Sequence, residues 1–152
     1  MNIMIKLKNL LLISAGILAS TSSFSQNIEK LSEDKVDRDK VKLAQDFTDR
    51  YFSASRDGKT YEFQDDATMA VIQGLTPQVQ KQVYQDIQSK FGDYKSLEYV
   101  ETWIYNAGET MTIVRFKGVF SKSDDKPEIR IVLDQANKIA GFFYKPWEPE
   151  LK

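Results

Sequence analysis

KSLEYVETWIYNAGETMTIVRFKGVF, residues 95–120, decides the fold of this chain. Large apolar and polar side chains alternate through it in steps of two, the period at which neighbours leave opposite faces of a strand. Asn106-Ala107-Gly108 interrupts the run once, with glycine third, which suits a three-residue hairpin loop ending at positive φ. Two paired strands are therefore expected, over residues 95–105 and 109–120. Gln135-Ala136-Asn137 repeats the loop pattern, so residues 128–134 and 138–145 form a second hairpin. A longer polar connection, residues 121–127, joins the two hairpins, and Pro127 stands where a strand begins.

Upstream of Gly92 the period is helical. Ser32 is placed to cap, with Glu33 and Asp34 in the first turn where the helix dipole favours acids. Val36, Leu43, Phe47 and Tyr51 then form a stripe that Ala44 and Phe52 widen, and Asp57-Gly58 ends the helix. Residues 60–73 fit a short helix or two. Thr76-Pro77 opens the clearest helix, with Val79, Val83, Ile87 and Phe91 at four-residue spacing and Gly92 as its stop. Helices first and a meander second give the α+β class, with N-terminal helices packed on a curved four-stranded antiparallel sheet.

The first 25 residues read as a signal peptide. Lys6 and Lys8 stand without an acid, an apolar run follows over residues 10–19, and Ser23-Phe24-Ser25 puts small residues at the cleavage positions. The run is too short to span a bilayer. Residues 26–31 form a short leader, and residues 32–152 a single domain. Export to a periplasm or the medium as a soluble product is expected, with no stable membrane insertion after cleavage.

Composition narrows the chemistry. Losing Lys6 and Lys8 moves the net charge from −1 to −3, too near neutral and too evenly mixed for a nucleic-acid partner. With no cysteine there are no disulfides and no lipid attachment site, and with no histidine the usual neutral-pH base is missing. None of the seven glycines builds a nucleophile elbow or a phosphate loop. No catalytic residue, cofactor or metal is assigned. Asp65-Asp66 and Asp124-Asp125 read as solvated turn acids, because adjacent side chains point apart.

Phe91-Gly92-Asp93-Tyr94-Lys95-Ser96-Leu97, and the stretch from Val132-Leu133-Asp134 through Lys138-Ile139-Ala140-Gly141-Phe142-Phe143 to Lys145-Pro146, resemble a family of small exported bacterial domains of unknown function. That family lies in the nuclear transport factor 2-like superfamily, the cone-shaped α+β roll shared with ketosteroid isomerase and scytalone dehydratase. The resemblance spans most of residues 36–146. It implies this roll and a habit of dimerising through the sheet, but carries over no catalytic residue. Asn137 stands where the family usually has glycine, a tolerable exchange at positive φ.

Three-residue loops set Tyr105 opposite Glu109, Glu101 opposite Ile113 and Val100 opposite Val114. They also set Leu133 opposite Ile139 and Ile129 opposite Phe143. The core side then holds Val100, Thr102, Ile104, Thr112, Val114, Phe116 and Phe120, continued by Ile129, Ile131, Leu133, Ile139 and Phe143. The other side holds Leu97, Tyr99, Glu101, Trp103, Tyr105, Met111, Ile113, Arg115 and Lys117, continued by Arg130, Val132, Ala140, Phe142 and Tyr144. A one-residue slip would exchange the sides. Helices of one chain cover only one side, so this second apolar face is expected to meet something else.

Tyr99, Glu101, Trp103, Tyr105, Met111, Ile113 and Arg115 are therefore the ligand or interface candidates, Glu101 and Arg115 pairing diagonally. The expected role is a non-catalytic binding module that self-associates as a homodimer. A small apolar ligand in the cone or another envelope protein is the other partner considered. The alternative is a small acid–base enzyme using Glu101 with Tyr99 and Trp103, or Tyr84 and Tyr61. The plain alternative to any docking role is that the segment containing Trp147 folds back over the face.

Overall fold

The computed structural model describes residues 27–122, 124 and 126–151. The expected signal peptide over residues 1–25 and the acid Asp125 lie outside these residues. The elements run β1 (Ile28–Lys30), a 3-10 turn (Glu33–Lys35), α1 (Arg38–Arg56), α2 (Met69–Gly74), α3 (Pro77–Phe91), β2 (Tyr94–Ala107), β3 (Glu109–Phe120), β4 (Glu128–Leu133) and β5 (Ile139–Lys145). The class is α+β, with an antiparallel sheet in the order β1-β2-β3-β4-β5. Five strands replace the expected four. Residues read as a leader supply the extra one, Ile28 pairing with Tyr105 and Lys30 with Trp103.

The first long helix starts five residues later than its charge pattern suggests. Ser32 makes no side-chain cap bond, and Val36 is extended at ψ 122°. Asp37 caps instead, accepting from the amides of Asp39 and Lys40 at 3.0 and 3.3 Å. From there α1 buries Val41, Ala44, Phe47, Tyr51 and Phe52. The hydroxyl of buried Thr48 on the same face donates to the Ala44 carbonyl one turn back, so its burial leaves no donor unpaired.

Residues 60–68 form no helix or multi-residue strand; an isolated parallel bridge from Ala67 to Ile139 holds their end and a buried amide their start. Gln80 on α3 accepts from the Tyr61 amide at 2.7 Å and donates to the carbonyls of Tyr61 at 3.1 Å and Leu75 at 2.9 Å. One of five glutamines in this helix, Gln80 gives no such signal in sequence. Helix α3 follows its expected limits, with Thr76 accepting from the Val79 amide and Gly92 ending it at φ +85°.

Both hairpins differ from their expected registers in informative ways. Gly108 reverses the chain nearly alone at φ +91°, so Ala107 pairs with Glu109 and Tyr105 with Met111. That shift of two residues keeps every side chain on its expected face and sets Glu101 directly opposite Arg115. Three register steps then break the parity, one of them between Tyr94 and Ser96 at the start of β2. The register steps by one between Tyr99 and Glu101, which sends Leu97 and Tyr99 to the helix side. In the second hairpin Leu133 faces Ile139 as expected, but the register steps at Ala140, so Ile129 faces Tyr144 and not Phe143. Phe142 and Tyr144 therefore pack on the helix side, the reverse of the sequence reading.

The resulting core between helices and sheet is densely aromatic. Phe142 meets Phe47, Tyr51 and Phe52 with ring centroids 4.8–6.1 Å apart and steep interplanar angles, the edge-to-face arrangement that ring quadrupoles favour. Tyrosine–carboxylate pairs tie the layers together at the rim, Tyr94 of β2 to Asp49 of α1 and Tyr144 of β5 to Asp86 of α3.

Gly92 admits a sharp test. Its positive φ strains any L side chain, and a Cβ there would lie 2.8 Å from the Lys122 amide nitrogen and 2.3 Å from the Ser121 hydroxyl oxygen. Gly92→Ala is expected to lower stability by about 1–3 kcal/mol in urea denaturation, whereas Gly58→Ala, with open space at its Cβ, costs less.

Candidate functional site: the outer sheet face

Side chains of β1 to β4 that point away from the helices meet around Arg115. Its position is set by pairing, since β3 places it between Glu101 of β2 and Arg130 of β4. The side chain is fully buried, at 0 % exposure. Glu128 grips it with two parallel bonds, from Nε to Oε1 at 3.0 Å and from Nη2 to Oε2 at 2.8 Å. Nη1 donates to Glu101. Glu128 also accepts from Arg130 Nε at 2.7 Å, which lets two arginines sit side by side. Lys30 of β1 closes the other end, 2.6 Å from Glu101.

The remaining guanidinium hydrogens reach the segment after β5. Nη2 donates to the Glu148 carbonyl at 2.5 Å and Nη1 to the Pro149 carbonyl at 3.4 Å. All the N–H groups of a guanidinium, about five, are thus occupied. The Trp147 ring stacks over the same group, 4.5 Å from Cζ, with Lys117 Nζ 4.6 Å from its centroid. Farther along, Leu151 joins buried Tyr105 and Ile113, with Ile28, Trp103, Met111 and Val132 packed partly exposed around them. The Trp147 segment therefore does fold back across this face.

Of the seven candidates, Glu101, Trp103, Tyr105, Met111, Ile113 and Arg115 share the outer face, and Tyr99 does not. The bulge beside Val100 turns Tyr99 inward, where its ring meets Phe116 at 6.2 Å and its hydroxyl lies 3.0 Å from that of Thr102. Glu128, Lys30 and Leu151 belong to the site without having been singled out for it, and Trp147 enters it as the fold-back alternative expected. The signal that could have found Glu128 is its separation of two from Arg130, which puts both on the Arg115 side of β4.

The electrostatics are those of a closed structural network. Burial pushes the Glu101 carboxyl up, but the contacts from Lys30 and Arg115 outweigh it and hold it below the usual range. Glu128 is lowered in the same way by Arg115 and Arg130 against its own desolvation. A general acid or base near neutrality needs the opposite displacement. Burial, then the Asp66 hydrogen bond, pushes Tyr61 up to about 12, and Tyr84 is raised chiefly by burial. Among the described residues, no group of three acids could hold a metal ion, and no helix is long and apolar enough to cross a membrane.

Comparison with family models, with curated proteins and with solved structures gives no match for this chain.

Removing one member of the network should cost far more than removing the charges together. Arg115→Met is expected to lose about 3–5 kcal/mol, because two carboxylates are left buried without their cation. Arg115→Met with Glu101→Gln and Glu128→Gln should lose less, as urea denaturation of the three-site variant would show. The pH dependence follows from the shifts. Glu101 and Glu128 have depressed pKa values when folded, so their contribution is present above about pH 4.3 and lost as pH falls through the lower folded values. Tyr61 is raised, so its contribution is complete below about pH 10 and lost as pH rises towards 12. Melting temperature against pH should fall at both ends.

Proposed function

We propose that this chain is an exported, non-catalytic interaction module of the nuclear transport factor 2-like kind, which self-associates through its outer sheet face. The observation that carries this reading is the second apolar cluster. Leu151 of the folded-back segment covers Tyr105 and Ile113 on the face turned away from the helices, and what stays partly exposed is the apolar rim of Ile28, Trp103, Met111 and Val132. A face meant only for water would alternate to polar residues. The partner is a second copy, since one patch packed on its twin closes a two-fold dimer with no further component. Export rests on the basic, apolar and small-residue order of residues 1–25. The superfamily reading rests on the quoted motifs and on the order of helices before meander.

Chemistry favours a module over the acid–base enzyme. Glu101 is held ionised by Lys30 and Arg115, and the helix side of the sheet is filled by stacked aromatic rings. The Tyr51 hydroxyl is buried among those rings without a hydrogen-bond partner among the described residues.

Light scattering of the purified protein is expected to give twice the chain mass at high micromolar concentration. Met111→Lys, at the partly exposed rim, should return the mass of one chain while leaving the far-UV circular dichroism unchanged. A strict monomer at every concentration would remove the self-association reading.

A further inference from the structure

The outer face is not bare, and what lies on it has a definite chemistry. Residues 146–151 cross the sheet from the end of β5 to Tyr105 without joining a strand ladder. Their main-chain carbonyls at Glu148 and Pro149 accept from one buried guanidinium, the Trp147 ring stacks on that guanidinium, and Leu151 fills the gap beside Ile113. Such a seat reads an extended peptide. It reads two successive carbonyls, an aromatic ring just before them, and a leucine four positions after the ring. Pro149 suits it, because a residue held through its carbonyl needs no amide hydrogen. Acids suit it too, since Lys117 and Lys145 flank the path and Lys145 lies 3.1 Å from Glu148.

We propose that the Arg115 seat is a peptide-recognition site through which two copies of this chain exchange residues 146–151. This rests on the self-association reading and names its central contact. In the closed single chain the segment covers the middle of the face, while Trp103, Met111 and Ile28 stay partly exposed. Exchange rebuilds the same carbonyl, ring and leucine contacts in the neighbour's seat. It also brings the two apolar rims together, and their burial supplies the driving force that exchange of equal contacts lacks. Pro146 and Pro149 keep the segment extended in both states, so little conformational freedom is lost on transfer.

The absence of cysteine permits a direct test in the full chain. Leu151→Cys and Ile113→Cys are made in separate chains, mixed, and treated with a short bismaleimide. The expected result is a covalent species of twice the chain mass that contains one of each variant. The double variant, treated alone and dilute, reports that the two thiols can be bridged. Bridging within the double variant but none between the mixed chains, while light scattering still gives a dimer, would overturn the exchange and leave self-association standing. A monomer throughout would remove both. Leu151→Glu gives a second readout. With exchange it should weaken dimerisation about tenfold or more. If the faces packed without exchange, unseating the segment would leave the dimer unchanged or tighter, which also overturns the proposal.

Discussion

A guanidinium with no access to water sits at the centre of the outer face, and the arrangement around it follows from its needs. Desolvating Arg115 costs several kcal/mol unless each of its hydrogens finds an acceptor. Glu128 alone meets that need on one edge, Glu101 on another, and neither suffices for the rest. The two carbonyls after β5 complete the set. Strand register, the extra N-terminal strand that brings Lys30, and the path of residues 146–151 all converge on one side chain. A buried network of this kind stabilises little relative to a well-packed apolar one, but it tolerates few alternatives. A slip of β3 by one residue would put Arg115 among the aromatic rings and Val114 among the acids.

Much of the fold was legible because alternation and turn chemistry are local. The limits of α3, the four long strands and both loop positions follow from Thr76-Pro77, Gly92, Gly108 and Asn137 in their own neighbourhoods. What escaped was non-local. A three-residue strand such as β1 has no periodicity of its own and exists because β2 offers an edge beside Tyr105. The bulges beside Val100 and at Ala140 carry no mark in sequence. Each reverses the facing of the residues beyond it as far as the next such step, which is why Tyr99, Phe142 and Tyr144 turned inward and Phe143 outward. The pair Glu101–Arg115 was legible as neighbours of opposite charge, and the two-residue shift made them direct partners. Glu128 was hidden by the polar look of a strand start.

The helix side is stabilised by different means. Its rings interlock edge to face, and its polar ties lie at the rim, where tyrosine hydroxyls reach carboxylates on the helices. Asp86 illustrates the balance. Burial raises its carboxyl, but Lys90 and the Tyr144 hydroxyl outweigh this and leave it lowered. Such ties orient α1 and α3 over the sheet without placing an unpaired charge among the rings. The two faces of one sheet are thus solved separately, one by aromatic packing and one by a saturated cation.

Gln80 has a consequence for how this protein ages. Side-chain amides hydrolyse slowly to carboxylates over the life of a folded chain. At Gln80 that single change would turn a donor into an acceptor facing two main-chain oxygens, those of Tyr61 and Leu75. The irregular stretch it anchors would then lose its grip on the third helix. Its 2 % exposure keeps the attacking water away, so the packing that hides this amide also preserves it.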